Sequence, residues 1–222
     1  MANISIFAES NDGYVGRSTD STWSGAKNAT TGTFATGGLS ASSQAVMSNY
    51  YAARGGGSNY RVYRAFFSFD TSGISVTPSE ATLKIYGLTN DTADFFVVKA
   101  NHGGTLEVTD IDAIVGWSNS GVDNEGNVTK YSSEITSWST SGYNDITLNS
   151  TALSDMSSLD DFQVCLIEST HDLRNVAPTA APRIGMYFAD EGSTSKDPYI
   201  DYTEGEEESS VTYNSVFFGS NF

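Results

Sequence analysis

One cysteine, Cys165, is too few for a disulfide framework, so the fold must be held by burial alone. At 222 residues the chain is long enough for that, since a chain of this size buries roughly 70% of its unfolded surface. A lone thiol becomes a nucleophile only beside a base. The chain has two histidines, His102 and His171, and no spacing places either next to Cys165. Cys165 lies in the apolar run 162–167 and reads as a small buried hydrophobe. Cations are scarce: 11 Lys and Arg stand against 27 Asp and Glu, giving a net charge of −16. Phosphate recognition needs clustered cations, so nucleic acid is not an expected partner. Long apolar runs are missing too, and the opening MANISIFAES has no basic region leading into an apolar segment. The expectation is a chain made in a cytoplasm, with no secretory signal and no membrane insertion.

What is present is period two. Residues 61–87, RVYRAFFSFDTSGISVTPSEATLKIYG, hold the densest apolar content. Tyr63, Ala65, Phe67 and Phe69 alternate with Arg64 and Ser68. Ala81, Leu83 and Ile85 alternate with Thr82, Lys84 and Tyr86. Alternation of this kind predicts strands with one buried face in an antiparallel sheet. Alternation at 3–7, 44–51, 184–188 and 199–202, and further strand-like runs at 95–100, 145–148 and 162–167, bring the total to about nine or ten short strands. The region 9–43 is polar and reads as loops or short edge strands, and 117–130 as a loop with a hairpin. Thr109 with Asp112 three residues later resembles a capping start and predicts one short helix over 109–115. The fold class predicted is all-β, an antiparallel β-sandwich (jelly-roll-like) with at most one short helix. The sandwich is expected over residues 1–202, followed by an acidic linker at 203–210 and an aromatic tail at 211–222.

Chemistry is thin. Asp123, Glu125, Asn127 and Glu134 fall at positions 1, 3, 5 and 12 of a calcium-loop spacing, but the glycine needed at position 6 is Val128. A polar surface hairpin is the expected role, with no cofactor; Ca2+ held by loop acids such as Asp12 and Asp20 is the alternative. Gly55, Gly56 and Gly57 precede a strand and not a helix, so they do not form a phosphate cradle. The acid pairs Asp110 with Asp112 and Asp160 with Asp161 match no catalytic motif, and the expectation is a protein that is not an enzyme. A glycan platform needs an exposed aromatic ring ringed by polar groups. The candidates are Trp23, Tyr50, Trp117 and Trp138, with Tyr51 and Tyr143, although a tryptophan is more often a core or corner residue. In the tail, Val216, Phe217, Phe218 and Phe222 follow the acidic run 204–208 and would make an apolar patch suited to docking on another chain.

Asp12-Gly13-Tyr14-Val15, the run Arg64-Ala65-Phe66-Phe67-Ser68-Phe69-Asp70-Thr71-Ser72, and Ala81-Thr82-Leu83-Lys84-Ile85-Tyr86 resemble the marks of DNRLRE domains. These are β-sandwich modules related to a carbohydrate-binding module found beside polysaccharide-degrading enzymes. The closing Asp197-Pro198-Tyr199-Ile200-Asp201-Tyr202 resembles their last strand. The resemblance spans about residues 3 to 202. It implies a jelly-roll sandwich without catalysis and carries over no ligand residue. The tail sequence is similar to those of tailed-phage virion proteins. Together these lead to the expected function: a non-enzymatic virion accessory protein of a bacteriophage, a head decoration or fibre module. Its expected partners are capsid or fibre subunits and further copies of itself. The alternative is a carbohydrate-binding adhesion module for a surface polysaccharide.

Overall fold

In a computed structural model, described for residues 3–52, 57–189 and 192–206, the chain forms eleven strands. They are β1 (Asn3–Phe7), β2 (Gly13–Asp20), β3 (Phe34–Gly37), β4 (Ala41–Ala52), β5 (Ser58–Asp70), β6 (Glu80–Asp91), β7 (Phe95–Lys99), β8 (Tyr143–Thr147), β9 (Asp161–Glu168), β10 (Arg183–Tyr187) and β11 (Tyr199–Thr203). All pairings between these strands are antiparallel, as the alternation predicts. The first layer holds β1, β11, β6 and β8 side by side. The second is built on β5. β2 runs along one edge of it, with β3 beyond. On the other edge β4 pairs with the first half of β5 and β9 with the second half, with β10 beyond β4 and β7 beyond β9.

Strand β6 links the layers. Glu80 to Tyr86 pair with β11 and β8, whereas Gly87 to Asn90 pair with β10. The corner between them is crowded: a Cβ at position 87 would stand 1.9 Å from the Ser139 carbonyl oxygen, so only glycine fits. Trp138 fills this corner. Its indole N–H donates to the Gly185 carbonyl at 3.1 Å, and its ring meets Phe95 edge-on at 5.3 Å.

The predicted one-sided burial holds for β6 but not for β5. Leu83 and Ile85 point between the layers, where they meet Phe67, Phe69, Phe95, Phe162, Val164 and Leu166. The opposite face of the second layer is also covered. Phe66, Phe96, Val98, Cys165 and Ile167 lie there under Leu106, Ile111, Ile114, Val128 and Leu173, which come from the long loops between strands. Arg64, Phe66 and Ser68 are therefore as inaccessible as Phe67 and Phe69. Cys165 has no exposed surface, and burial pushes its thiol far above the ordinary cysteine range, which suits the buried-hydrophobe reading.

Three further expectations need correction. Helix is not limited to one short segment. Besides a 3-10 turn at Val108–Asp112 there are α1 (Trp23–Lys27), α2 (Ser150–Ser158) and a π-turn at Ser169–Leu173. Both α-helices have side-chain caps: Thr22 Oγ1 accepts from Gly25 N–H at 3.1 Å, and Asn149 Oδ1 accepts from Ala152 N–H at 3.1 Å. The polar region 9–43 contains β2, which pairs directly with the central strand. Its pattern is broken by Gly16, whose missing side chain leaves room for the rings of Phe34 and Tyr63, packed edge to face at 5.1 Å. Residues 117–130 form a loop cap and not a hairpin. The sandwich continues through Thr203, whose carbonyl accepts from Ser79 N–H at 2.9 Å. The predicted assembly anchors Val216, Phe217, Phe218 and Phe222 lie outside the described residues. Among the described residues no helix is long and apolar enough to cross a membrane.

One buried group sets an acid limit on this fold. His102 is 5% exposed, its Nε2 lies 3.2 Å from Ser68 Oγ, and burial lowers its pKa to about 4. The imidazole is neutral when folded but titrates at its ordinary value of 6.5 when unfolded. Its contribution is therefore complete above pH 6.5 and drains away as pH falls towards 4, by about 3 kcal/mol in all. Urea midpoints across this range should fall more steeply for the wild type than for His102→Phe.

Candidate functional site

The residues that the sequence marked for chemistry are mostly committed to structure. Arg64, with no exposed surface, donates from Nε and Nη2 to the two Asp172 carboxylate oxygens at 2.8 and 2.7 Å. It also donates to the carbonyls of Ile111 and, at 3.2 Å, Lys27. Burial opposes the guanidinium charge, but Asp172 outweighs it and holds Arg64 above its ordinary value. Glu168 positions Asp172: its carboxylate accepts from the N–H groups of Thr170, His171 and Asp172 at 3.0, 2.7 and 2.9 Å, which shapes the π-turn. Lys27 is also buried and donates to the Val122 carbonyl at 2.9 Å.

The calcium-loop spacing does bring acids together, but around an arginine. Arg174 donates to Glu125 at 2.6 and 3.1 Å and to Glu134 at 2.8 and 3.0 Å. These bonds hold both carboxyls below the usual glutamate range. Asp123 accepts from Glu125 N–H at 2.8 Å. Of the other acids weighed for Ca2+, Asp12 accepts from Ala189 N–H at 2.9 Å and Asp20 from Arg17 Nε at 2.6 Å. The paired acids are similarly engaged: Asp112 accepts from Asn119 at 2.6 Å and Asp161 from Gln163 at 2.6 Å.

Nor do the four platform candidates form a platform. Trp23 and Trp138 are 8% and 6% exposed, because α1 and the β6 corner each need a large ring as filler. Trp117 is half-buried, but its ring already carries Arg64 at 4.0 Å and Lys27 at 4.6 Å from the centroid. It acts as a cover over the buried cations. Tyr50 sits opposite Tyr60 across β4 and β5, with centroids 5.4 Å apart and Trp23 behind Tyr60 at 6.1 Å. The structure does not bring these four residues into one surface.

A different set of rings does converge. Facing residues of an antiparallel pair share a side of the sheet. Phe7 faces Tyr199, Tyr199 faces Lys84, Lys84 faces Asp145 and Tyr86 faces Tyr143. Because Leu83 and Ile85 point inward, this whole set points outward. The rings form a ladder across the first layer and onto β10: Phe7 to Tyr199 at 5.4 Å, Tyr199 to Tyr143 at 5.1 Å, Tyr143 to Tyr86 at 5.3 Å, and Tyr86 to Tyr187 at 5.4 Å. The last three contacts are edge to face, at 77°, 77° and 88°. Polar groups are interleaved with them. Lys84 Nζ donates to Asp145 at 2.9 Å, and Ser5 Oγ donates to Asp201 at 2.5 Å. Lys196 Nζ lies 4.1 Å from the Tyr187 centroid and 5.4 Å from that of Tyr86. Tyr86 and Tyr143 are fixed by their hydroxyls, which donate to the carbonyls of Ser141 at 3.0 Å and of Ser195 and Asp197 at 3.1 Å. Phe7, at one end, is 49% exposed.

Of these rings only Tyr143 stood among the sequence candidates. The outward positions of Tyr86 and Tyr199 follow from alternation, but their neighbours across strands do not. The chain matches no family model and no curated protein. The DNRLRE resemblance thus rests on the residues quoted for it.

Removing one partner of a buried ion pair is far more costly than removing both. Asp172→Ala should lose about 3–5 kcal/mol in urea unfolding. The double replacement Arg64→Met with Asp172→Leu should recover most of that, because no uncompensated charge remains inside.

Proposed function

We propose that this protein is a non-catalytic carbohydrate-binding module that lays an extended polysaccharide chain across the ring ladder of the first layer. The observation that carries this reading is the ladder itself: Phe7, Tyr199, Tyr143, Tyr86 and Tyr187 in unbroken contact on an outward sheet face. Sugars offer C–H faces to aromatic rings and hydroxyls to fixed donors and acceptors. Lys84, Asp145, Ser5 and Asp201 supply donors and acceptors beside the rings. Tilted rings make an undulating surface, which fits a single chain better than the flat face of a crystalline polymer. Two hydroxyls and the strand pairings hold the rings in place before any ligand arrives, which lowers the ordering cost of binding.

Tyr199→Ala and Phe7→Ala should each weaken binding to a soluble polysaccharide by about 1–2 kcal/mol, roughly tenfold in Kd. Trp117→Phe, on the opposite side of the molecule, should leave Kd unchanged. Titration calorimetry across a panel of soluble polysaccharides is the measurement. Equal affinities for wild type and Tyr199→Ala on every polymer bound would refute the ladder as the site.

A second reading concerns where the module works. The run Glu204-Gly205-Glu206-Glu207-Glu208 followed by Val216, Phe217, Phe218 and Phe222 favours a virion accessory role, in which these apolar residues anchor the module to another subunit. A light-scattering mass for the full chain beside one ending at Glu206 tests it. The expected result is a defined oligomer for the first and a folded monomer for the second. Monomers in both cases, with no difference in particle attachment, would remove this reading.

A further inference from the structure

The charges along the ladder limit what kind of polysaccharide it can take, an inference that rests on the ladder being the binding site. We propose that the ligand is an uncharged glycan and that uronic-acid, sialylated and sulfated polymers are rejected. Three carboxylates share the outward face with the rings. Asp145 and Asp201 flank Tyr199: Asp145 faces Lys84, Lys84 faces Tyr199, and Asp201 lies two residues along β11. Glu80 completes the row, accepting from Thr203 Oγ1 at 3.0 Å. The Asp145 side chain is 61% exposed, open to whatever lies on the rings.

Lys84 cannot serve as an anion receptor. It is the cation between these acids, and its ammonium is bonded to Asp145 at 2.9 Å. That bond, with Asp145, Tyr199 and Asp201 around it, raises its pKa above the ordinary lysine value. The group is thus held as a charged partner of Asp145. Tyr199 reports the same field: partial burial and the nearby Asp201 raise its pKa, although Lys84 opposes them. At the other end Lys196 lies against the faces of Tyr187 and Tyr86, its charge directed at the rings. The whole chain adds a net charge of −16 behind this face, so a polyanion is also repelled at long range.

Neutral sugars meet none of these costs. Exposed carboxylates are strong acceptors for sugar hydroxyls, and the lysine–carboxylate pair offers both a donor and an acceptor. The acids that exclude a uronate therefore help to orient a neutral pyranose.

The test is affinity electrophoresis and calorimetry of the full chain on matched soluble polymers, xyloglucan and galactomannan against alginate and polygalacturonate, at low and high ionic strength. Neutral polymers should bind with a Kd nearly independent of salt. Uronans should bind at least roughly fivefold to tenfold more weakly at low salt, and the gap should narrow as salt screens the repulsion. The double variant Asp145→Asn with Asp201→Asn keeps the side-chain shapes and should reduce the preference. A uronan bound more tightly than any neutral polymer, in a manner lost in Tyr199→Ala, would overturn the inference but keep the ladder as the site. Failure of every polymer to bind would overturn both.

Discussion

A guanidinium without access to water must have its hydrogen bonds supplied by the protein. Arg64 meets that demand with groups from separate parts of the chain: the Asp172 carboxylate in the π-turn, the Ile111 carbonyl in the 3-10 turn and the Lys27 carbonyl at the end of α1. Three loop segments are thereby fastened to the middle of the central strand. Their apolar residues Ile111, Ile114 and Leu173 then close over Phe66, Cys165 and Ile167. Besides this ion pair, the cap is held by isolated bridges at Ile114, Lys130 and Ile135 and by the bonds of Arg174 to Glu125 and Glu134.

This cap makes the second layer a sheet buried on both sides. A buried sheet is rigid because neither face can exchange packing for water. The first layer leans on it through Leu83, Ile85 and their partners, and so has one dry face and one wet face. The wet face can be specialised without disturbing the core. Its rings are fixed by pairing register and by hydroxyl bonds to Ser141, Ser195 and Asp197. The ring ladder and the Lys84–Asp145 pair thus share the wet face, while the buried Arg64–Asp172 pair and the Arg174–Glu125 and Arg174–Glu134 pairs belong to the loop cap on the other side of the sandwich.

Arg174 illustrates how spacing alone can mislead. Glu125 and Glu134 occur at calcium-loop positions, and the fold does bring their carboxylates to one point. The cation they meet is a side chain from a distant loop, 40 residues or more along the chain. A one-dimensional pattern records which ligands can converge. It holds no record of an arginine arriving from elsewhere to neutralise them. The tryptophans follow the same logic, for ring size drew attention to them while burial had already claimed Trp23 and Trp138.

By itself the sequence determined the class of fold and the inward side of most strands. Alternation at Ala81, Leu83 and Ile85, and again at Ile200 and Tyr202, is enforced by the pleat and needs no partner to be read. It also determined that Cys165 is packing material, because it sits in the unbroken apolar stretch Val164-Cys165-Leu166-Ile167. That stretch and the unbroken Ala65-Phe66-Phe67 place apolar residues on both faces of their strands, which the reading of one buried face from alternation passed over. Tertiary structure alone decided what covers them, because the cap is drawn from loops with no periodicity of their own. It also decided the ladder. Phe7, Tyr86, Tyr143, Tyr187 and Tyr199 lie on five strands scattered through the chain, and only the pairing order of β1, β11, β6, β8 and β10 sets them in contact. Pairing order is a long-range property, chosen by how two hydrophobic faces close on each other, and no local pattern in the chain encodes it.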